Sequence, residues 1–322
     1  MKTFQEFKTF YENDLKQKCL ALEEERKDAR KDAVFIIIAT VLITGSISAF
    51  GLYVFLKYHW HGAIIAAPIF LGIVFGIRVH RSRIKKFARK FKNQIIKPII
   101  EFVDPGFEYQ AYGYLSKSTF ERSELFKERP NIYSGDDLVK GKLGKTSFIF
   151  SELHAKVEKG SGKNRQVYPI FDGLLFIADF NKKFDSKTFV LPDKAEKYLG
   201  IIGKFMQSKN FTRPDLVKLE NPEFEKSFVV YSEDQVEARY ILSTNFMEKI
   251  LEYNQKTKKD ILLSFIDDKI YIAIPDDKKF FEPRLDMELS NLYRMNDYFQ
   301  DLNLAISLIE DFNLNRRIWG KK

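Results

Sequence analysis

The sequence has a single cysteine, Cys19, in 322 residues. One cysteine excludes an intrachain disulfide bond, and nothing in the composition points to an oxidising compartment. Cys19 lies on the apolar stripe of a predicted helix, where we interpret it as a small buried side chain. Residues 1–32 are densely charged and the apolar run that follows is long, so we expect no cleavable signal peptide.

The sequence also lacks the short motifs of common catalytic and metal sites, including His-x-x-x-His, Cys-x-x-Cys and Gly-x-Ser-x-Gly. Gly144-Lys145-Thr146 ends like a phosphate-binding loop, but Val139 stands where that motif requires glycine. His154 lies on a predicted strand, and we identify no second metal ligand at a useful spacing. We therefore predict no catalytic, cofactor-binding or metal-binding residues, and we favour a protein that is not an enzyme.

Acidic side chains offer the remaining candidates for chemistry. The pairs Asp136/Asp137, Asp267/Asp268 and Asp276/Asp277 are interpreted as turn residues, since Asp accepts backbone hydrogen bonds in turns.

The weak candidates in the soluble region are Asp234, Glu237 and Arg239. A capping box around Ser232 and Gln235 explains the first two locally. A buried pocket where Glu237 and Arg239 meet Asp267 would instead support an enzyme acting on a membrane-proximal or phosphorylated substrate.

Charge is absent from two long runs, Ala33–Leu56 and Trp60–Ile77. The first is long enough to cross a bilayer as a helix, and the second is near the lower limit. Because only Lys57–His59 separates them, we predict a transmembrane helical hairpin over residues 33–77. Small residues at four-residue spacing permit close packing within the hairpin or, alternatively, between chains of a homo-oligomer through the Gly72–Gly76 face. These positions are Gly45, Ala49, Ala63, Ala67, Gly72 and Gly76.

The net charge of +9 is concentrated just after the second run. Its members are Arg78, Arg81, Arg83, Lys85, Lys86, Arg89, Lys90 and Lys92. Since the rest of the chain is nearly neutral, we expect no nucleic-acid partner. Basic residues flank both outer ends of the hairpin, which predicts that both termini face the cytoplasm. We expect these cations to contact anionic lipid headgroups or to pair with Glu23-Glu24-Glu25 of the first helix.

The remaining pattern predicts an α+β protein with four regions. An amphipathic helix (1–32) and a basic helix (78–103) would form a cytoplasmic stalk on either side of the hairpin. Residues 104–322 would form a mixed, mainly antiparallel sheet with flanking helices. We predict separate strands at Gln166–Ile170 and Leu174–Asp179 and a hairpin tip at Lys159–Arg165. The predicted helices are Lys194–Gln207, Asp234–Leu242, Asn245–Tyr253 and Asn291–Phe312.

Two sequence echoes hint at an internal repeat. Tyr133–Asp136 is echoed by Tyr231–Asp234, and Asp172–Ala178 by Asp267–Ala273. They indicate two related units near 118–191 and 222–285, unless common strand sequences match by chance.

Four carboxy-terminal strings resemble a known family: Gly173–Phe184, Leu219–Glu225, Val230–Leu242 and Leu314–Trp319. The chain resembles, over essentially its whole length, the bacterial family called domain of unknown function 3137. The resemblance implies an amino-terminal helix, a two-span hairpin, a cytoplasmic domain and an inner-membrane location, with no reaction attached. Our favoured hypothesis is a membrane-anchored interaction or scaffold protein with an unidentified protein partner. The alternative is a membrane-tethered enzyme or ligand sensor with a pocket in its cytoplasmic domain.

Overall fold

The computed structural model describes residues 2–58, 74, 77–79, 82, 84–180, 183–193, 215–276 and 279–311. The chain divides into two compact units. The helical unit comprises Lys2–Phe102 and Phe281–Phe299, and the latter is called the docked segment below. The sheet unit comprises Val103–Phe280 and Gln300–Lys322, with Met1. The sheet unit therefore differs from the predicted domain 104–322, because the docked segment lies within that range but belongs with the amino-terminal residues.

The helical unit begins with one long helix that Thr3 starts through a reciprocal capping box with Glu6. It runs as α1 (Phe4–Phe10), a π-helical turn (Tyr11–Leu15) and α2 (Lys16–Tyr58). A second helical stretch covers residues 84–91, a π-helical turn (Lys92–Ile96) and α3 (Lys97–Val103).

Both π turns follow from the spacing of the apolar residues. The buried positions recur every four residues in each helix: Phe7, Tyr11, Leu15 and Cys19 in the first, and Phe87, Phe91, Ile95 and Ile99 in the second. A straight α-helix would rotate such a stripe steadily away from its partner. A π turn takes up extra residues and keeps the stripe on one face. Burial raises the pKa of Cys19 to about 12.

The two helices pack antiparallel, and the docked segment completes their core. The Phe10 and Phe102 rings stack at 4.4 Å, while Lys90 contacts Glu25 at 2.7 Å. From the docked segment, Phe299 stacks on Phe7 at 4.6 Å. The pairing of the two helices follows the predicted geometry, but no pattern in the sequence indicated this third element.

Two buried ion pairs also join this core. The Arg26 guanidinium lies 2.6 Å from the Glu23 carboxylate, and the backbone N–H of Leu289 donates to the same carboxylate at 3.0 Å. Burial opposes ionisation of Glu23, but these hydrogen bonds hold its pKa below the usual value. Lys92 is fully buried, and its ammonium lies 2.7 Å from Glu282. Glu23 and Lys92 thus belong to the core, whereas the sequence suggested exposed roles for both.

The sheet unit contains one nine-stranded sheet in the order β1-β2-β3-β4-β9-β8-β5-β7-β6. All its pairings are antiparallel, which confirms the α+β prediction. The strands are β1 (Glu108–Gln110), β2 (Ile132–Leu143), β3 (Thr146–Lys159), β4 (Gln166–Asp179), β5 (Thr188–Pro192), β6 (Asp215–Val217), β7 (Phe228–Ser232), β8 (Leu262–Ile266) and β9 (Lys269–Pro275). The echoed strand segments of the predicted repeat lie side by side where β4 pairs with β9.

Among the described residues of the sheet unit, four helices accompany the strands: α4 (Lys117–Arg122), α5 (Pro222–Ser227), α6 (Gln235–Ile241) and α7 (Thr244–Thr257). The last helix, α8 (Leu292–Asp311), begins in the docked segment of the helical unit and ends in residues of the sheet unit. The central strands are buried on both faces. One face packs under α4 in a cluster that includes Phe120, Phe171, Leu175 and Leu262. We did not predict α4 or α5, and we expected two strands where β4 runs unbroken. The predicted helix Lys194–Gln207 lies outside the described residues.

One helix among the described residues, within Phe4–Gly51, is long and apolar enough to cross a membrane. Nearly all of the second apolar run lies outside the described residues, and so do Ala63, Ala67, Gly72 and Gly76. A Cβ atom at Gly45 would meet no described atom within 4 Å. The two-span hairpin therefore stays a prediction.

Candidate functional site

A histidine flanked by carboxylates lies on three neighbouring strands of the sheet unit. Glu152 and His154 are two residues apart on β3, so both side chains leave the same face of the strand. Asp136 on β2 lies directly opposite Glu152, and Asp172 on β4 lies directly opposite His154. The pairing register thus brings together side chains that are far apart in sequence.

A bulge in β2 explains why Asp136 reaches this face. Between Asp136 and Val139, two residues of β2 face the single residue Ser151 of β3. The extra residue, Asp137, has a left-handed backbone with φ 56°, and its buried carboxylate accepts a hydrogen bond from the Tyr109 hydroxyl. The extra residue reverses which side chains of β2 face each side of the sheet. Bulges are common next to functional sites.

Both ring nitrogens of His154 face carboxylates. Nδ1 lies 2.5 Å from Asp172 Oδ1, and Nε2 lies 3.3 Å from Glu152 Oε1. One ligand atom from each of Asp136, Glu152 and His154 lies within 4.8 Å of the other two. Glu152 is buried, His154 is partly exposed, and Asp172 is more exposed. The cluster is therefore rooted in the sheet and open at one side.

The backbone around the cluster is fixed by further hydrogen bonds. The N–H of Phe280 donates to Glu152 Oε2 at 2.8 Å, which leaves Oε1 as the oxygen nearer the histidine. The N–H of Asp276 donates to the Asp172 carbonyl at 3.0 Å. Such an arrangement can hold either a proton on the imidazole or a cation between imidazole and carboxylates.

Our sequence reasoning missed this cluster, because it found no second ligand at a useful spacing from His154, whereas the structure places carboxylates beside both ring nitrogens. Part of a signal was present, since the predicted hairpin tip at 159–165 makes β3 and β4 antiparallel neighbours. The register at the tip, with Lys159 opposite Gln166, would place Phe171 opposite His154. A register shift between Ala155 and Lys156 places Asp172 there instead, and the sequence does not reveal that shift.

The acidic pairs have mixed outcomes. Asp267 and Asp268 form the turn between β8 and β9, as predicted. Asp136 and Asp137 lie inside β2 instead of at a turn, because a bulge accommodates them within the strand. Asp276 follows β9, and Asp277 lies outside the described residues.

The weak candidates on and beside α6 have structural contacts. Asp234 caps α6 by accepting from the N–H groups of Val236 and Glu237. The Glu237 carboxylate accepts from the Ser186 N–H at 2.8 Å, and Arg239 donates to the Lys218 carbonyl. These contacts tie α6 to neighbouring loops.

A shallow depression elsewhere on the sheet includes two ion pairs, Lys140 with Glu108 and Lys269 with Asp179. None of the three weak candidates lines it.

The basic residues after the second apolar run are also placed in part. Arg78, Lys85, Lys86 and Arg89 are exposed, whereas Arg81 and Arg83 lie outside the described residues. The exposure of these side chains is compatible with contact to lipid headgroups, and that contact stays a prediction.

Comparison with known proteins supports a family for part of the chain but indicates no activity. No curated protein matches the sequence. The crystal structure of the mycobacterial trehalose monomycolate transport factor A, TtfA, is 10% identical and covers 72% of this chain and 98% of its own, with a TM-score of 0.36. A TM-score this low supports no conclusion about function. Residues 169–314 match the model of the family described as Protein of unknown function (DUF3137), which supports the resemblance seen in the sequence over this part of the chain.

Proposed function

We propose that this chain is a membrane-anchored interaction protein of the bacterial inner membrane. In this proposal two spans form a hairpin, both termini face the cytoplasm, and the sheet unit acts as a scaffold for a protein partner. The exposed cations near the second span contact anionic lipid headgroups.

One observation carries the anchor. Within the uncharged part of α2, the side chains of Phe35, Val41, Leu42 and Phe50 are 63–70% exposed. Large apolar side chains exposed around a helix this long require an apolar environment, which a bilayer supplies. The basic residues on the outer flanks and the single Lys57 between the runs support the orientation.

Labelling of single cysteines tests the topology. In a Cys19→Ser background, cysteines replace Lys2, Lys57 or Lys226, which are all exposed. A membrane-impermeant maleimide added to spheroplasts should label only the Lys57→Cys protein, and the other two only after lysis. Labelling of Lys2→Cys or Lys226→Cys without lysis would overturn the orientation. Extraction by alkaline carbonate would overturn the anchor itself.

Exposed apolar side chains on the sheet unit support the interaction role. Leu216 on β6 and Val236 and Tyr240 on α6 are 43–75% exposed, and these two elements contact each other. Groups of this kind are typical of protein contact surfaces. A photo-crosslinker at Val236 in native membranes should give a discrete adduct, while the same group at Lys249 on α7 serves as the matched control. Absence of any adduct specific to Val236 would count against a partner at this surface.

A second function, a membrane-tethered enzyme or ligand sensor, is favoured by a different observation. The cluster of Glu152, His154 and Asp172 joins a buried carboxylate to a histidine that solvent reaches. A buried carboxylate beside a partly exposed histidine is an arrangement found at sites that bind ligands or catalyse reactions. The metal titration described below tests this candidate directly.

A further inference from the structure

We propose that Asp136, Glu152 and His154 bind a divalent transition-metal ion, best matched by Zn²⁺, and that Asp172 orients His154 from outside the coordination shell. The proposal concerns the sheet unit alone. It therefore stands or falls separately from the membrane topology and the protein partner proposed above.

The spacing of the ligand atoms fits an ion better than a hydrogen bond. Two ligands bound at about 2.0–2.1 Å to a tetrahedral zinc ion lie roughly 3.3–3.4 Å apart. His154 Nε2 and Glu152 Oε1 are 3.3 Å apart. A hydrogen bond between an imidazolium and a carboxylate would draw the two atoms to about 2.7–2.9 Å. The separation of Nε2 and Oε1 thus matches the edge of a coordination tetrahedron.

The tautomer of His154 leads to the same conclusion. The Asp172 carboxylate lies 2.5 Å from Nδ1, which makes Nδ1 the nitrogen that carries the proton. Nε2 then faces Glu152 Oε1, where either a second proton or a metal ion must lie between the two atoms, and their 3.3 Å separation fits the metal ion. A carboxylate that fixes the outer nitrogen of a ligating histidine is the usual second shell of a metal site.

The charges on the neighbouring strands add a third argument. Asp136 lies directly opposite the buried Glu152, and like charges in this position destabilise a sheet. A divalent ion compensates both carboxylates. One imidazole nitrogen with two carboxylate oxygens favours Zn²⁺ or Mn²⁺ over Ca²⁺ and Mg²⁺, which prefer oxygen ligands alone. Three protein ligands leave a position for water, as in zinc sites that activate it.

Metal titration of the full chain in detergent tests the site. After chelator treatment, Zn²⁺ binding is measured by calorimetry and Co²⁺ binding by visible absorption, which reports four-coordinate geometry. The wild type should bind one ion per chain at the cluster. Asp172→Asn should weaken binding by roughly 10–100-fold, and His154→Ala should weaken it further. The matched control His59→Ala/His61→Ala removes the two histidines on either side of Trp60 and should leave binding at the cluster unchanged.

Two results would overturn the proposal. Either the wild type binds no Zn²⁺ at micromolar concentration, or His154→Ala binds it as tightly as the wild type. In both cases the cluster is an ion-pair network without metal. Replacement of the buried Glu152 threatens folding, so the two partly exposed positions carry the test. Circular dichroism of each variant verifies that the fold is retained.

Discussion

Each of the two units of this chain is stabilised by its own internal contacts, and the units differ in how far apart in sequence the contacting residues lie. In the sheet unit, β2, β3 and β4 are joined by short turns, and so are β8 and β9. In the helical unit, Phe7 stacks on Phe299 and Tyr11 donates to the carbonyl of Ser290. Closing a short loop costs little conformational entropy. Contacts between residues nearly a whole chain apart cost more entropy, which dense packing must offset. We therefore expect the helical unit to depend on a few aromatic side chains, and the sheet unit on its backbone register.

The largest effect is expected from Phe7→Ala. Phe7 is fully buried and contacts both Phe102 and Phe299, so truncation leaves a cavity in the core of the helical unit. The expected cost is about 3–5 kcal/mol. Hydrogen exchange of the full chain in nanodiscs should show much faster exchange in the docked segment.

Phe4→Ala is the matched control for this variant, because Phe4 is 40% exposed and stacks on Tyr293 at the edge of the same unit. Equal exchange rates in the two variants would show that the docked segment is held by contacts other than the aromatic core.

The corresponding test of the sheet unit is Gly173→Ala, because both the backbone conformation and the limited space at this position require glycine. Gly173 has φ +146°, and a Cβ atom there would lie 2.3 Å from the Ile274 carbonyl oxygen where β4 pairs with β9. Strain and overpacking together should cost about 3 kcal/mol. Faster amide exchange should appear in β4 and β9 and leave the docked segment unchanged.

Gly162→Ala at the β3–β4 tip separates these two causes. Gly162 also has a positive φ, +56°, but no described atom lies within 4 Å of its added Cβ. Its cost should stay near 1 kcal/mol. A similar cost at both glycines would mean that the β4–β9 pairing tolerates the extra carbon.

The same contrast explains what the sequence could reveal. Strand alternation and helical spacing are local signals, and they located most of the sheet as well as α6, α7 and α8. The cluster around His154 was only partly predictable, because the hairpin makes β3 and β4 neighbours but a register shift between Ala155 and Lys156 decides that Asp172 faces His154. The bulge that turns Asp136 to the same face leaves no mark in the sequence either. Likewise, nothing local tells that Glu282 meets Lys92, since only tertiary packing brings the docked segment to the helices.

The buried ion pair of the helical unit should respond asymmetrically to substitution. Lys92 is fully buried, whereas the Glu282 side chain is 32% exposed. Glu282→Gln leaves an ammonium in the core with a weaker partner and should cost up to about 3 kcal/mol. Lys92→Met leaves a carboxylate that solvent can still reach, so it should cost clearly less. Chemical denaturation of both variants in detergent measures the difference, and the reverse order would show that burial of the lysine does not set the cost.

The smallest effect is expected at the exposed contact between the two helices. Lys90 and Glu25 approach to 2.7 Å, but their side chains remain 39% and 45% exposed. A double-mutant cycle with Lys90→Ala and Glu25→Ala should give a coupling of about 0.2–1 kcal/mol, which falls as salt is raised. The helices should therefore stay paired without this contact, because Phe10 and Phe102 still stack between them. A coupling well above this range, or one that salt does not reduce, would mean that charge and not the aromatic core aligns the two helices. In that case the contrast between the units would lie in electrostatics, and the basic residues after the second apolar run would have a structural role besides lipid contact.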